Sequence, residues 1–459
     1  VKRAIVAAIA TVICAACAAT APSPQAASAA FSVPVEYHTL PNGLRVALWL
    51  DQTSPRVTVA VYYGVGFRIE PRNRTGFAHL FEHLMFQGSQ NLGKGEFTKL
   101  VRLNGGVTNG STTFDFTRYY EIVPSNMLQT ILWAEADRMK GLDITEDALT
   151  SQKGVVSNEV RVNVINRPYG GFPWLDMPQL ANVNWYNAHN TYGDLADIDA
   201  ATIEDARNFF KTYYAPNNAS LAIVGDFDPA QTMAWVNQYF GAIPSQPQPP
   251  SVDVSEPRQE QERRRSKTDD RATRPAIAIA YHAPEPESDA YYAMALINQI
   301  LGAGKDSWLY EDIVRKRGLT GEIEATMIAY GTMFDVKGPA LYTISLFHDA
   351  NRSSDEILKA IDQNIDRLRT QPVDAATLNR ARVKMRSTFY NDLDATYGFG
   401  RANLLAVFAL FYNDPSRINR IESRFAAVTS ELIRKTAEEY LRPGNRTILT
   451  IVPKSAGGN

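Results

Sequence analysis

Two homologous α+β domains in tandem, each a mixed sheet packed with helices, are the fold class this sequence predicts, and three observations predict it. The chain has 459 residues, enough for more than one core at about 100–200 residues per domain. Residues 243–272 (IPSQPQPPSVDVSEPRQEQERRRSKTDDRA) are rich in Pro, Gln and charge with almost nothing to bury, so they read as a linker between 31–242 and 273–459. Segments on either side then recur in the same order. Thr202–Asp226 resembles Thr429–Pro453, aligning Pro216 with Pro443, and each reads as a helix, a proline stop and a buried strand. Ile144–Leu149 (ITEDAL) parallels Val373–Leu378 (VDAATL), and Val57–Tyr63 parallels Ala276–Tyr281. A duplicated α+β domain is the economical reading.

Residues 1–30 read as an export signal. Lys2 and Arg3 precede a small-residue apolar run, and Ala27-Ser28-Ala29 offers a small-x-small cleavage pattern, so the mature chain is expected to begin near Phe31 in the periplasm. Cys17 only partly matches a lipid-attachment site, because Cys14 stands where a leucine is expected. No later run reaches the ~18–20 apolar residues of a membrane span. Lys plus Arg number 47 and Asp plus Glu 49, a near balance that disfavours a basic nucleic-acid binder. Cys14 and Cys17 are the only cysteines, so a metal in the mature domains must be held by His, Asp or Glu.

Thr75–Ser89 (TGFAHLFEHLMFQGS) predicts an amphipathic helix of about three turns, with Thr75 as N-cap and Gly88 as stop. Phe77, Leu80, Phe81, Leu84 and Met85 fall on one arc, and His79, Glu82 and His83 on the opposite side. Histidines at i and i+4 can aim at one ion, while Glu82 sits beside them without having to ligate. A catalytic zinc takes three protein ligands and keeps one position open. Glu159, on a second helix expected over about Thr145–Val164, competes for the third place with Glu135 and Asp137. Phe114, Phe116, Tyr119 and Tyr120 read as strand packing, and His38, His189, His282 and His348 as structural or surface residues.

HLFEHLMF (HxxEH), LNGGVTNGSTTFDFTRYYEIVP (Leu103–Pro124), VVSNEVRVNVINRPYG (Val155–Gly170) and YYAPNNASLAIVGDFDP (Tyr213–Pro229) together resemble the pitrilysin/insulinase family of inverted zincins. The resemblance spans nearly all of the mature chain. It implies that His79, His83 and Glu159 ligate one Zn2+, that Glu82 is the general base of peptide hydrolysis, and that Asn109 and Gly110 lie on an edge strand where peptide adds. Many members carry a glutamate seven residues before the third ligand. Gln152 stands there and contributes hydrogen bonding without charge.

The family also assembles duplicated halves or paired chains into a clamshell, whose opposing part supplies an Arg and, seven residues on, a Tyr. In LYEDIVRKRGLTGEI (Leu309–Ile323) these places hold Val314 and Gly321. The resemblance therefore implies the zinc-bearing half of a two-subunit enzyme, with a homologous metal-free partner supplying the pair; a homodimer is the rival. The expected substrates are unfolded oligopeptides in an enclosed chamber, the alternatives being a specific precursor-processing peptidase and a non-catalytic scaffold.

Overall fold

The computed structural model describes residues 31–454; residues 1–30, expected to be an export signal and holding Cys14 and Cys17, lie outside them. The first sheet has the order β1-β2-β6-β3-β5-β4. Its strands are β1 (Glu36–Thr39), β2 (Arg45–Leu50), β3 (Arg56–Tyr63), β4 (Val107–Thr112), β5 (Thr117–Pro124) and β6 (Ala219–Gly225). The second sheet, β7-β11-β8-β10-β9, uses β7 (Arg263–Asp269), β8 (Ala276–His282), β9 (Ile323–Thr326), β10 (Leu341–Phe347) and β11 (Arg446–Pro453).

The duplication is written into the register. β6 runs parallel to β2 and antiparallel to β3, and β11 repeats this with β7 and β8. The helix–proline–strand repeat appears as Ile203–Tyr213, a turn at Pro216–Asn218 and β6, and again as Ser430–Tyr440, Pro443–Asn445 and β11. Thr202 and Thr429 cap the two helices from the same position.

One expectation needs correction. Of the stretch 243–272 read as linker, residues 243–262 and 270–272 lack helix and strand, but β7 lies between them as an edge strand of the second sheet. Its sequence, RRRSKTD, has the charged, exposed character of an edge, and that character is what made it read as linker.

The halves exchange packing elements. β3 and β6 are buried on both faces, which is why they read as unbroken apolar runs. Part of that cover comes from the distant helical segment Ala375–Tyr412, which is broken at Ala395–Gly398; in its second part the Ala406 carbonyl accepts from Ser220 Oγ at 2.8 Å and Asn403 Oδ1 from the Tyr62 hydroxyl at 2.6 Å. In return Phe172, Met177 and Ala181 pack on Ala276, Ala278 and Ala280 of β8, with Leu449 and Ile451 of β11. The alternate alanines of β8 leave room for that approach.

Four helices position the site: α1 (Phe77–Leu84), α2 (Glu96–Leu103), α3 (Leu128–Lys140) and α4 (Glu146–Val160). Thr145 caps α4 by accepting from the Ala148 N–H, and the helix passes into a π turn, Arg161–Ile165.

Candidate metal centre

α1 presents its chemistry by burying its opposite face. Phe77, Leu80, Phe81 and Leu84 are almost fully buried in the core of the first half, each contributing about 1.5–3 kcal/mol, and they fix the rotation that turns His79, Glu82 and His83 outward. The helix starts differently from the sequence expectation. Its N-cap is Gly76, in a left-handed conformation at φ 83° and with no capping side chain. Thr75 instead donates from its hydroxyl to Asp197 at 2.7 Å. The cap comes from Glu70, whose fully buried carboxylate accepts the N–H groups of Gly76 at 2.9 Å and Ala78 at 2.7 Å.

His79 Nε2 and His83 Nε2 lie 3.3 Å apart. From α4, Glu159 approaches with Oε2 3.4 Å from His79 Nε2 and Oε1 3.7 Å from His83 Nε2. Among the described residues these three form the one group of His, Cys, Asp or Glu that could hold a metal. Bonds of ~2.0–2.2 Å to a tetrahedral zinc put neighbouring ligand atoms about 3.3–3.6 Å apart, so the donor set fits that ion. His79 holds the Glu159 carboxyl below its usual range, against partial burial. Burial, then the neighbouring His79, push the His83 ring down; both shifts favour the unprotonated forms that bind metal. Gln152, nearly buried, hydrogen-bonds His83 and favours its protonated form, as an acceptor does.

Glu82 stands beside this cluster without joining it. Its Oε2 accepts from Thr112 Oγ1, on β4, at 2.7 Å. β4 pairs only with β5, so its outer edge is open among the described residues. Asn109 is exposed on that strand and Gly110 is buried. A Cβ on Gly110 would stand 3.0 Å from Glu82 Cγ and 3.3 Å from Phe86, a close approach that brings the strand edge against the carboxylate.

The rivals for the third position are engaged elsewhere. Glu135 pairs with Arg138 in the core, and Asp137 accepts from Ser89 Oγ at 2.6 Å and from Asn91. In the second half, Arg315, one place after Val314, bonds Glu311 at 2.6 Å on the π-helical segment Tyr310–Lys316. Sequence reading missed Glu70, Thr112 and Tyr192. Tyr192 stacks on His79, with centroids 5.3 Å apart at 25°. None of the three stands at helical spacing from the motif; only the folded chain joins them to it.

Two family models match this chain. One, described as Insulinase (Peptidase family M16), covers residues 45–167, and the other, described as Peptidase M16 inactive domain, covers 200–385. The chain belongs to peptidase family M16. Among M16 relatives it is 27% identical over 426 residues to the zinc protease PqqE of Helicobacter pylori, covering 90% of this chain and 92% of that one. It is 24% identical over 434 residues to the probable mitochondrial-processing peptidase subunit beta of Arabidopsis thaliana, covering 90% and 78%. A crystal structure of a protease from Helicobacter pylori superposes with TM-score 0.85 at 26% identity, over 92% of this chain and all of that one. The periplasmic protease PqqL of Escherichia coli shares the fold, at TM-score 0.72 and 17% identity, over 93% of this chain and 48% of that one. Zinc is thus the metal in the names of M16 relatives, and the inactive-domain match, residues 200–385, does not include His79, His83 or Glu159. No helix among the described residues is long and apolar enough to cross a membrane.

The Glu70 cap carries a pH signature. His189 Nε2 lies 3.5 Å from Glu70 Oε2, and its ring stacks on Trp185 at 4.3 Å. Burial opposes protonation of His189, but Glu70 outweighs it and the ring's pKa is raised; burial also raises Glu70. A raised folded pKa contributes stability that is fully present below the unfolded value, about 6.5 for histidine, and is lost as pH rises through the folded value. His189→Gln is therefore expected to lower the Tm most below about pH 6.5 and progressively less at alkaline pH. Thermal melts of both proteins from pH 5 to 9 check this; a constant difference would contradict the pair.

Proposed function

We propose that this chain is a zinc-dependent endopeptidase in which His79, His83 and Glu159 hold one zinc and Glu82 moves the proton. The observation that carries the reading is the donor set at 3.3, 3.4 and 3.7 Å, with a fourth acidic side chain beside it and not part of it. When bound, zinc supplies a Lewis acid that acidifies water and polarises a scissile carbonyl. Thr112 occupies Glu82 Oε2, which leaves Oε1 to take the proton of the attacking water and return it to the leaving amine nitrogen. An extended peptide adds to the open edge of β4, where Asn109 and Gly110 meet its backbone beside Glu82. Gln152 orients His83 through its amide oxygen, which serves as well as a carboxylate for that purpose and adds no charge.

The substrate class is unfolded oligopeptide, admitted to an enclosed chamber completed by a homologous metal-free subunit in the periplasm, with residues 1–30 as the export signal. Val314 and Gly321 support that second subunit, because neither can act as the expected Arg or Tyr. Likeness to a mitochondrial-processing peptidase subunit favours a second reading, cleavage of specific precursors by the same chemistry. The test is zinc content and cleavage of a quenched oligopeptide library by the purified chain, alone and with its candidate partner. About one zinc per chain and cleavage only with the partner are expected. Full activity of the chain alone removes the heteromer, and zinc binding without cleavage in either preparation removes the peptidase.

A further inference from the structure

Tyr192 lies on the loop after His189 and is clamped from three sides. One face stacks on His79, and Trp174 meets the ring edge-on at 5.3 Å and 80°. The Tyr192 N–H donates to Asn190 Oδ1 at 3.1 Å. The loop is fastened to the start of α1: the Asp194 N–H donates to Thr75 Oγ1 at 3.0 Å. A Cβ on the left-handed Gly193 would stand 2.8 Å from Gly76 Cα, so the two backbones touch.

The hydroxyl is held as firmly as the ring. Asn163, one turn beyond Glu159 on the π turn, donates from Nδ2 to the phenol oxygen at 2.9 Å. The phenol is thus an acceptor in that bond, and its own proton has no acceptor among the described residues. The stack on His79 and the bond from Asn163, four residues past Glu159, hold this group beside two of the three donors. Packing alone needs no hydroxyl here, because a phenylalanine would stack on His79 and Trp174 equally well.

We propose that Tyr192 donates its free hydroxyl hydrogen to the peptide oxygen that gains negative charge during hydrolysis. This rests on the peptidase reading above. The bond strengthens as charge develops on the oxygen, so it acts on kcat more than on KM.

Tyr192→Phe, in the full chain with its partner, is expected to lower kcat by about 10²-fold with KM within about twofold. Zinc affinity by chelator competition and the Tm should stay at the wild-type values. Affinity for a phosphinic peptide, measured by calorimetry on zinc-loaded protein, should fall by a similar factor. Asn163→Asp, whose carboxylate can only accept, draws the phenol proton to itself and is expected to reproduce the loss with the ring retained. Wild-type kcat and unchanged phosphinic affinity in Tyr192→Phe would overturn the proposal, as would loss of zinc in that variant. Failure of the peptidase reading looks different: wild type would then turn over peptide no faster than Glu82→Gln.

Discussion

Glu82→Gln is expected to lower kcat for peptide cleavage by about 10²–10⁴-fold, the range for loss of a positioned general acid–base. The substitution keeps the shape of the side chain and the acceptor for Thr112 Oγ1, held at 2.7 Å in the wild type. It removes only the capacity to take a proton. Because Glu82 is not one of the three donors, zinc content should remain near wild type, and this separates it from His79→Ala or Glu159→Ala. Stopped assays with quenched peptides, paired with metal analysis of the same samples, read both quantities. A glutamine variant with activity within tenfold of wild type would mean that another group accepts the proton. A variant that loses zinc would mean that Glu82 ligates.

The largest expected effect on stability lies behind β5. Arg138 of α3, Glu135 of α3 and Glu121 of β5 are almost completely buried, and Arg138 bonds both carboxylates while its guanidinium lies 3.7 Å from the Phe97 ring centre. Burial, then the neighbouring Glu135, push the Glu121 carboxyl well above its usual range, even with Arg138 present. Removing the arginine leaves two buried acids without a cation. Arg138→Met is therefore expected to cost about 3–5 kcal/mol, read from denaturant midpoints. Adding Glu121→Gln and Glu135→Gln should recover part of that loss, since the stranded charges are its cause. The effect reaches the site, because Thr108 of β4 donates to Glu121 Oε1 at 3.0 Å. A loss below about 1 kcal/mol would show that the core takes the acids in neutral form at little cost.

Much of this architecture was legible because it repeats or obeys a short period. The apolar arc of α1 fixed the outward face of His79, Glu82 and His83, and the repeated helix–proline–strand units located β6 and β11. Glu159 needed more: periodicity left Glu135 and Asp137 as rivals, the family resemblance pointed to Glu159, and in the folded chain the two rivals are engaged by Arg138 and the Ser89–Asn91 loop. Contacts between distant segments were not legible. Thr75 has the side chain of an N-cap, yet the helix is capped by Glu70, because a loop bearing Asp197 takes the threonine and a buried carboxylate reaches the free N–H groups. Tyr192 sits on an aperiodic loop, and nothing in its local sequence announces His79 as its neighbour. β7 was hidden by its charge, since an exposed edge strand and a linker share a composition.

The central claim is the identity of the three ligands. Anomalous diffraction at the zinc edge from crystals of the purified chain tests it most directly. The account predicts one strong peak about 2.0–2.2 Å from His79 Nε2, His83 Nε2 and a Glu159 carboxylate oxygen, with Glu82 outside bonding distance. A peak elsewhere, or no peak in zinc-replete crystals, would contradict it.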